Sequence, residues 1–135
     1  MAGELILIVE DNEKNLKLVR DVLQFKGYRT LEAGTAEDGV ALALAHQPDL
    51  ILMDIQLPGV DGVTALRRLR AEPSTASIPV IALTAFAMKD DRARFLDAGF
   101  DGYIDKPINV KAFPEQVRRF CEQAHQPDPK GLKDL

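Results

Sequence analysis

Short apolar runs rich in branched side chains alternate with longer stretches of helical period, the pattern of successive βα units on a parallel sheet. Strands are expected over Leu5 to Val9, Tyr28 to Glu32, Leu50 to Met53, Val80 to Leu83 and Gly102 to Ile104. The first, third and fourth are apolar throughout, as strands buried on both faces must be, and are placed at the centre; the second and fifth are mixed and belong nearer the edges. Leu16, Val19 and Leu23 recur at i, i+3 and i+7 in a helix that starts at Asn12 as cap and stops at Gly27. Thr35-Ala36-Glu37-Asp38 is a capping-box pattern opening a helix from Ala36 to His46. A third helix runs from about Val63 to Arg70 and is closed by Pro73, a fourth from Phe86 to Ala98 is stopped by Gly99, and a fifth follows Asn109 to about Glu122. Phe95, Leu96 and Phe113 are assigned to the core, and HQPDPKGLKDL, without an apolar face, to a loose tail.

With 135 residues and 46% apolar content, the chain has the size of one domain and enough apolar surface for a core. Lys plus Arg number 17 against 21 Asp plus Glu, without a basic patch, which argues against nucleic acid or an anionic membrane as partner. No apolar run approaches the ~20 residues of a membrane span, and MAGELILIVED lacks the basic flank of a signal peptide, so a soluble, cytoplasmic protein is expected. Cys121, the single cysteine, makes neither a disulfide framework nor a metal motif and is expected as a half-buried thiol on a helix.

In an open α/β sheet the binding crevice lies at the carboxyl ends of the strands, so chemistry is expected just after each apolar run. Those positions hold Glu10-Asp11, Asp54, Thr84-Ala85 and Asp105-Lys106-Pro107. If the first and third strands are neighbours, three carboxylates converge, and like charges that close repel without a cation between them. An oxygen-only donor set with room for water suits Mg²⁺, with Mn²⁺ as the alternative. Asp54 can act as a carboxylate nucleophile toward a phosphoryl group, Lys106 can pair with a phosphoryl oxygen, and Thr84 offers a hydroxyl donor beside the small Ala85. Pro107 can aim the lysine back at the site through a cis bond in a tight turn. Singly, each residue has a plainer role: Glu10-Asp11-Asn12 as an acidic helix cap, Thr84 as a strand-end hydrogen bonder, Asp61-Gly62 as turn chemistry and Lys106 as a surface lysine. Agreement of four strand ends favours a site.

These motifs, LIVEDN, MDIQLPGVDG, LTA and YIDKPI, resemble those of response-regulator receiver domains of two-component signalling, of the single-domain type, over residues 4 to about 122. The resemblance implies a doubly wound, flavodoxin-like (βα)₅ fold with a five-stranded parallel sheet in the order 2-1-3-4-5, a receiver over 1–122 and a flexible tail over 123–135. By position it implies that Asp54 is the phosphoacceptor, Asp11 a direct Mg²⁺ ligand, Glu10 a ligand through water and Gln56 a ligand by its backbone carbonyl. Thr84 matches the switch hydroxyl, Lys106 the phosphate-binding lysine and Tyr103 the aromatic switch; Glu10 stands where many members carry aspartate. It further implies a signalling protein and not an enzyme, at most slowly self-dephosphorylating. A histidine kinase or histidine phosphotransfer protein would phosphorylate it, and it would bind a downstream protein effector or relay the phosphate.

Gln56 and Phe86 look into the approach of water to the phosphoryl group, and a bulky Phe86 is expected to lengthen the phosphorylated lifetime. Two other classes fit the chain less well. Aspartyl-phosphate phosphatases place a second acidic residue two positions after the nucleophile, where this chain has Gln56; a pseudo-receiver, binding without phosphorylation, would not keep Glu10, Asp11, Asp54, Thr84 and Lys106 intact. No output module follows the fifth helix, and Met1 with the tail suggests a stand-alone chain whose signal leaves by protein contact.

Overall fold

Strands β1 (Leu5–Val9), β2 (Arg29–Ala33), β3 (Leu50–Asp54), β4 (Val80–Thr84) and β5 (Gly102–Asp105) form one parallel sheet in the order β2-β1-β3-β4-β5. The computed structural model describes residues 3–55, 62–84 and 96–125, with side chains through Glu122. The three wholly apolar runs are the inner strands, because a strand flanked on both sides and covered on both faces has no solvated position for a polar side chain. The mixed runs are the edges, as their patterning predicts. Register pairs Val9 with Met53, Asp54 with Leu83 and Thr84 with Asp105, so the carboxyl ends of four strands finish nearly level.

Helices α1 (Glu13–Phe25), α2 (Ala36–His46), α3 (Gly62–Ala71) and α4 (Phe113–His125) cover both faces. Leu7, Val9, Ile51 and Met53 point to the side that holds Ala43 of α2 and Leu66 and Leu69 of α3. Ile6, Ile8, Leu50 and Leu52 point to the other, with Val19 and Leu23 of α1 and Phe113, Val117 and Cys121 of α4. This is the doubly wound, flavodoxin-like arrangement. Asn12 caps α1, its side chain accepting from the backbone N–H groups of Lys14 and Asn15, and Thr35 caps α2 through the N–H of Asp38. Gly27, at φ 92°, turns the chain out of α1 in a conformation that side chains disfavour.

Several local expectations are revised. Tyr28 is not in β2: its N–H closes the end of α1 on Leu23 O at 3.1 Å, and its ring is buried against the α1 and α4 side. β3 and β4 each run one residue further, to Asp54 and Thr84. Regular α4 starts at Phe113, because Asn109 Oδ1 accepts from the N–H groups of Lys111 and Ala112 and organises a separate turn first. Phe113 is fully buried as expected, whereas Leu96 is 52% exposed and lies outside the core. Cys121 is fully buried, deeper than the half-burial expected, because Tyr28 and Val117 enclose it with the sheet. Residues 96–98 are helical; Phe95 and the rest of the expected fourth helix, 86–95, lie outside the described residues. No described helix is long and apolar enough to cross a membrane.

Candidate functional site

Glu10 follows β1 directly, and its N–H continues the ladder to Ala33 O at 2.9 Å, which fixes where its side chain starts. That side chain is 1% exposed. Asp54, the last residue of the central strand β3, is 5% exposed, and Thr84 at the end of β4 is 4% exposed. On the neighbouring edge, Lys106 N–H donates to Thr84 O at 2.8 Å, which draws the chain after β5 over the end of β4. The Lys106–Pro107 peptide is cis, as the sequence suggested. Lys106 Nζ lies 2.8 Å from Asp54 Oδ2 and 2.8 Å from Glu10 Oε1, bridging two buried carboxylates. Asp11 is exposed beside them, and one carboxylate oxygen from each of Glu10, Asp11 and Asp54 lies within 4.8 Å of the other two.

Among the described residues, three carboxylates gather here and one ammonium, that of Lys106, pairs with two of them. Burial raises the Glu10 pKa, hydrogen bonding with Asp54 raises it further, and Lys106 only partly offsets both, leaving Glu10 at about 7. For Lys106 burial alone would lower the pKa, but hydrogen bonds to Asp54 and Glu10 prevail and hold it above its ordinary value. The excess negative charge, offered entirely by oxygen donors, is what a hard divalent cation neutralises. The residues present thus fit Mg²⁺.

The structure brings together Glu10, Asp11, Asp54, Thr84 and Lys106 of the expected site. Tyr103 is half-buried on β5 and packs on the apolar side shared with α2 and α3. Gln56 and Phe86 lie outside the described residues. The Glu10–Lys106 ion pair was missed in the sequence: the partners are 96 positions apart, and no spacing signals them. Gly62 was missed too, as turn chemistry; an ideal Cβ on it would meet Asp54 O at 2.8 Å.

The family model of the response regulator receiver domain matches residues 6–118. The chain belongs to that family. This receiver is 45% identical over 119 residues to the polar-differentiation response regulator DivK of Brucella ovis, covering 88% of this chain and 97% of DivK. It is similar to the receiver domain of sensor histidine kinase PA1611 from Pseudomonas aeruginosa PAO1, whose crystal structure has a magnesium ion coordinated in the active site cleft. The TM-score is 0.82 at 36% identity, over 90% of this chain and 99% of that one. The chemotaxis response regulator CheY4 of Vibrio cholerae shares the fold, with a TM-score of 0.83 at 22% identity over 88% of this chain and 99% of that one.

Proposed function

We propose that this receiver takes a phosphoryl group on Asp54 from a histidine kinase or a histidine phosphotransfer protein and signals by phosphorylation-dependent protein contact or by passing the phosphate on. The observation that carries this reading is Lys106 Nζ, at 2.8 Å from both Asp54 and Glu10 in a corner of three carboxylates. An Asp54 carboxylate oxygen attacks phosphorus, the new P–O bond forms as the P–N bond of the donor phosphohistidine breaks, and the imidazole leaves. Lys106, already aimed at Asp54, then pairs with a phosphoryl oxygen, and Thr84 donates its hydroxyl to another. Asp11 and Asp54 would hold Mg²⁺ with the backbone carbonyl of Gln56, and Glu10 through water; Mn²⁺ would serve in its place. When bound, the metal supplies charge neutralisation of the phosphoryl oxygens.

Support for magnesium comes from the donor set and from the ion in the similar receiver of PA1611. Thr84 and Tyr103 are the proposed switch pair, the hydroxyl moving to the phosphoryl group and the ring turning inward. Residues 1–122 form the acting unit and 123–135 a tail, in a cytoplasmic regulator without nucleic acid or membrane as partner. It is an acceptor, and turnover is limited to slow self-dephosphorylation, with Phe86 restricting the approach of water.

Acetyl phosphate with Mg²⁺ tests this directly: Asp54 should be modified alone, Asp54→Asn should take no label, and beryllofluoride with Mg²⁺ should bind. Label on another residue, or undiminished in Asp54→Asn, overturns the assignment.

A further inference from the structure

Gly62, the first residue of α3, is buried against the backbone of the acceptor, not merely placed in a turn. A Cβ there would lie 2.8 Å from Asp54 O, 3.1 Å from Ile55 Cα and 3.5 Å from Asp54 C. The obstacle is backbone, so no side chain can swing aside. The backbone of Gly62 is also not in the left-handed region, so the position asks for lack of volume and not for a special dihedral. Both walls of this contact are held. Ala65, Leu66 and Leu69 are buried and fix α3 on the sheet, while Ile55 N–H donates to Leu83 O at 3.2 Å and Gly62 N–H to Ile55 O at 3.3 Å.

We infer that Gly62 is a positioning residue: by bringing the start of α3 into contact with the Asp54 carbonyl, it sets the depth at which the Asp54 carboxylate meets Lys106 and the other two carboxylates. This rests on Asp54 being the acceptor. An added methyl must displace the Asp54–Ile55 peptide by a few tenths of an ångström, which stretches the 2.8 Å contact with Lys106 toward the long end of the hydrogen-bond range and moves one oxygen of a shared ligand set.

The test compares Gly62→Ala with Gly102→Ala. The second creates a clash of similar closeness, 2.6 Å to the Phe120 ring, at the opposite end of the sheet. Both variants should lose stability, but only Gly62→Ala should slow acetyl phosphate labelling by about tenfold or more per folded molecule. It should also accelerate hydrogen exchange of the Ile55 amide in unphosphorylated protein beyond the general rise seen in Gly102→Ala. If Gly62→Ala is not folded in buffer, both are measured in trimethylamine oxide, which favours the compact state. Labelling at the wild-type rate per folded molecule, or equal slowing in the two variants, overturns the inference. If the wild type itself takes no label at Asp54, the proposed function has failed, and Ile55 exchange alone decides whether Gly62 holds the acceptor strand: selective acceleration supports it, and none refutes it.

Discussion

At the amino ends of the strands Asp49 and Asp101 do the same local work, and at the carboxyl ends Glu10, Asp11 and Asp54 do something different. Asp49 N–H donates to Leu5 O at 2.8 Å, and its Oδ2 accepts from Leu5 N–H at 2.8 Å; Asp101 repeats this with Val80 at 2.9 and 2.8 Å. Each aspartate satisfies both backbone groups of the first residue in a neighbouring strand. Arg70 reinforces the second: its guanidinium donates to the carbonyls of Ala76, Ile78 and Gly99 and, at 2.7 Å, to Asp101. Both of these carboxylates have donors of their own. At the other end, among the described residues, two buried carboxylates share one lysine and an exposed third stands beside them. One end of the sheet is satisfied by hydrogen bonds, and the other gathers negative charge that suits a hard cation.

The largest effect expected from this contrast is functional. Asp54→Asn should abolish labelling by acetyl phosphate, yet its urea midpoint without metal should not fall, because a like-charge repulsion is removed while Lys106 keeps Glu10 as partner. A marked loss of stability would mean that the site carboxylates are structural after all. Arg70→Ala should do the reverse. It removes the guanidinium from three carbonyls and takes the cation from Asp101, which keeps only its bond from the Val80 N–H, an expected cost of about 2–3 kcal/mol, with labelling per folded molecule unchanged. A labelling defect matching that of the site variants would join the two ends into one unit.

Acidity separates the ends more finely. In the chelated protein Glu10 has a folded pKa of about 7, raised above the ordinary 4.5 chiefly by burial and by Asp54. A raised value means that the folded state binds the proton more tightly, so the stability it contributes is fully present below about 4.5 and is lost as pH rises toward about 7. The urea midpoint in chelator should therefore fall from pH 5 to pH 7, and Glu10→Gln should remove most of that slope. Excess Mg²⁺ should flatten it too. A midpoint independent of pH in chelator would show that Lys106 alone balances the cluster.

Much of this was legible in advance for a simple reason. Inner strands must be apolar on both faces, so Leu5 to Val9, Leu50 to Met53 and Val80 to Leu83 declared both their type and their central place. The site was legible because parallel strands bring their carboxyl ends together, so that residues far apart in the chain could be read as one group. Features set by how elements meet in space were not legible. Whether Leu96 faces the core depends on the rotation of its helix, and the depth of Cys121 depends on Tyr28 folding back over α4. Arg70 gave no sign of its role, since its acceptors are carbonyls of unremarkable loop residues.

The smallest expected effect bears on whether the amino-end aspartates act as charges or as acceptors. Asp49 Oδ2 meets a neutral backbone N–H, with no cation recorded against it among the described ion pairs, so an uncharged oxygen in the same place should hold the start of β1 nearly as well. Asp49→Asn keeps that oxygen and should cost no more than about 0.5 kcal/mol, whereas Asp49→Ala orphans the Leu5 N–H and should cost about 1–2 kcal/mol. The same exchange of aspartate for asparagine at Asp54 is expected to end function entirely. Urea unfolding of the three variants together with acetyl phosphate labelling of Asp49→Asn and Asp54→Asn therefore measures the contrast: it holds if Asn substitutes for Asp in structure at residue 49 but not in chemistry at residue 54. If Asp49→Asn costs as much as Asp49→Ala, the negative charge itself matters at the amino end, and the division between an end satisfied by hydrogen bonds and an end loaded with charge gives way.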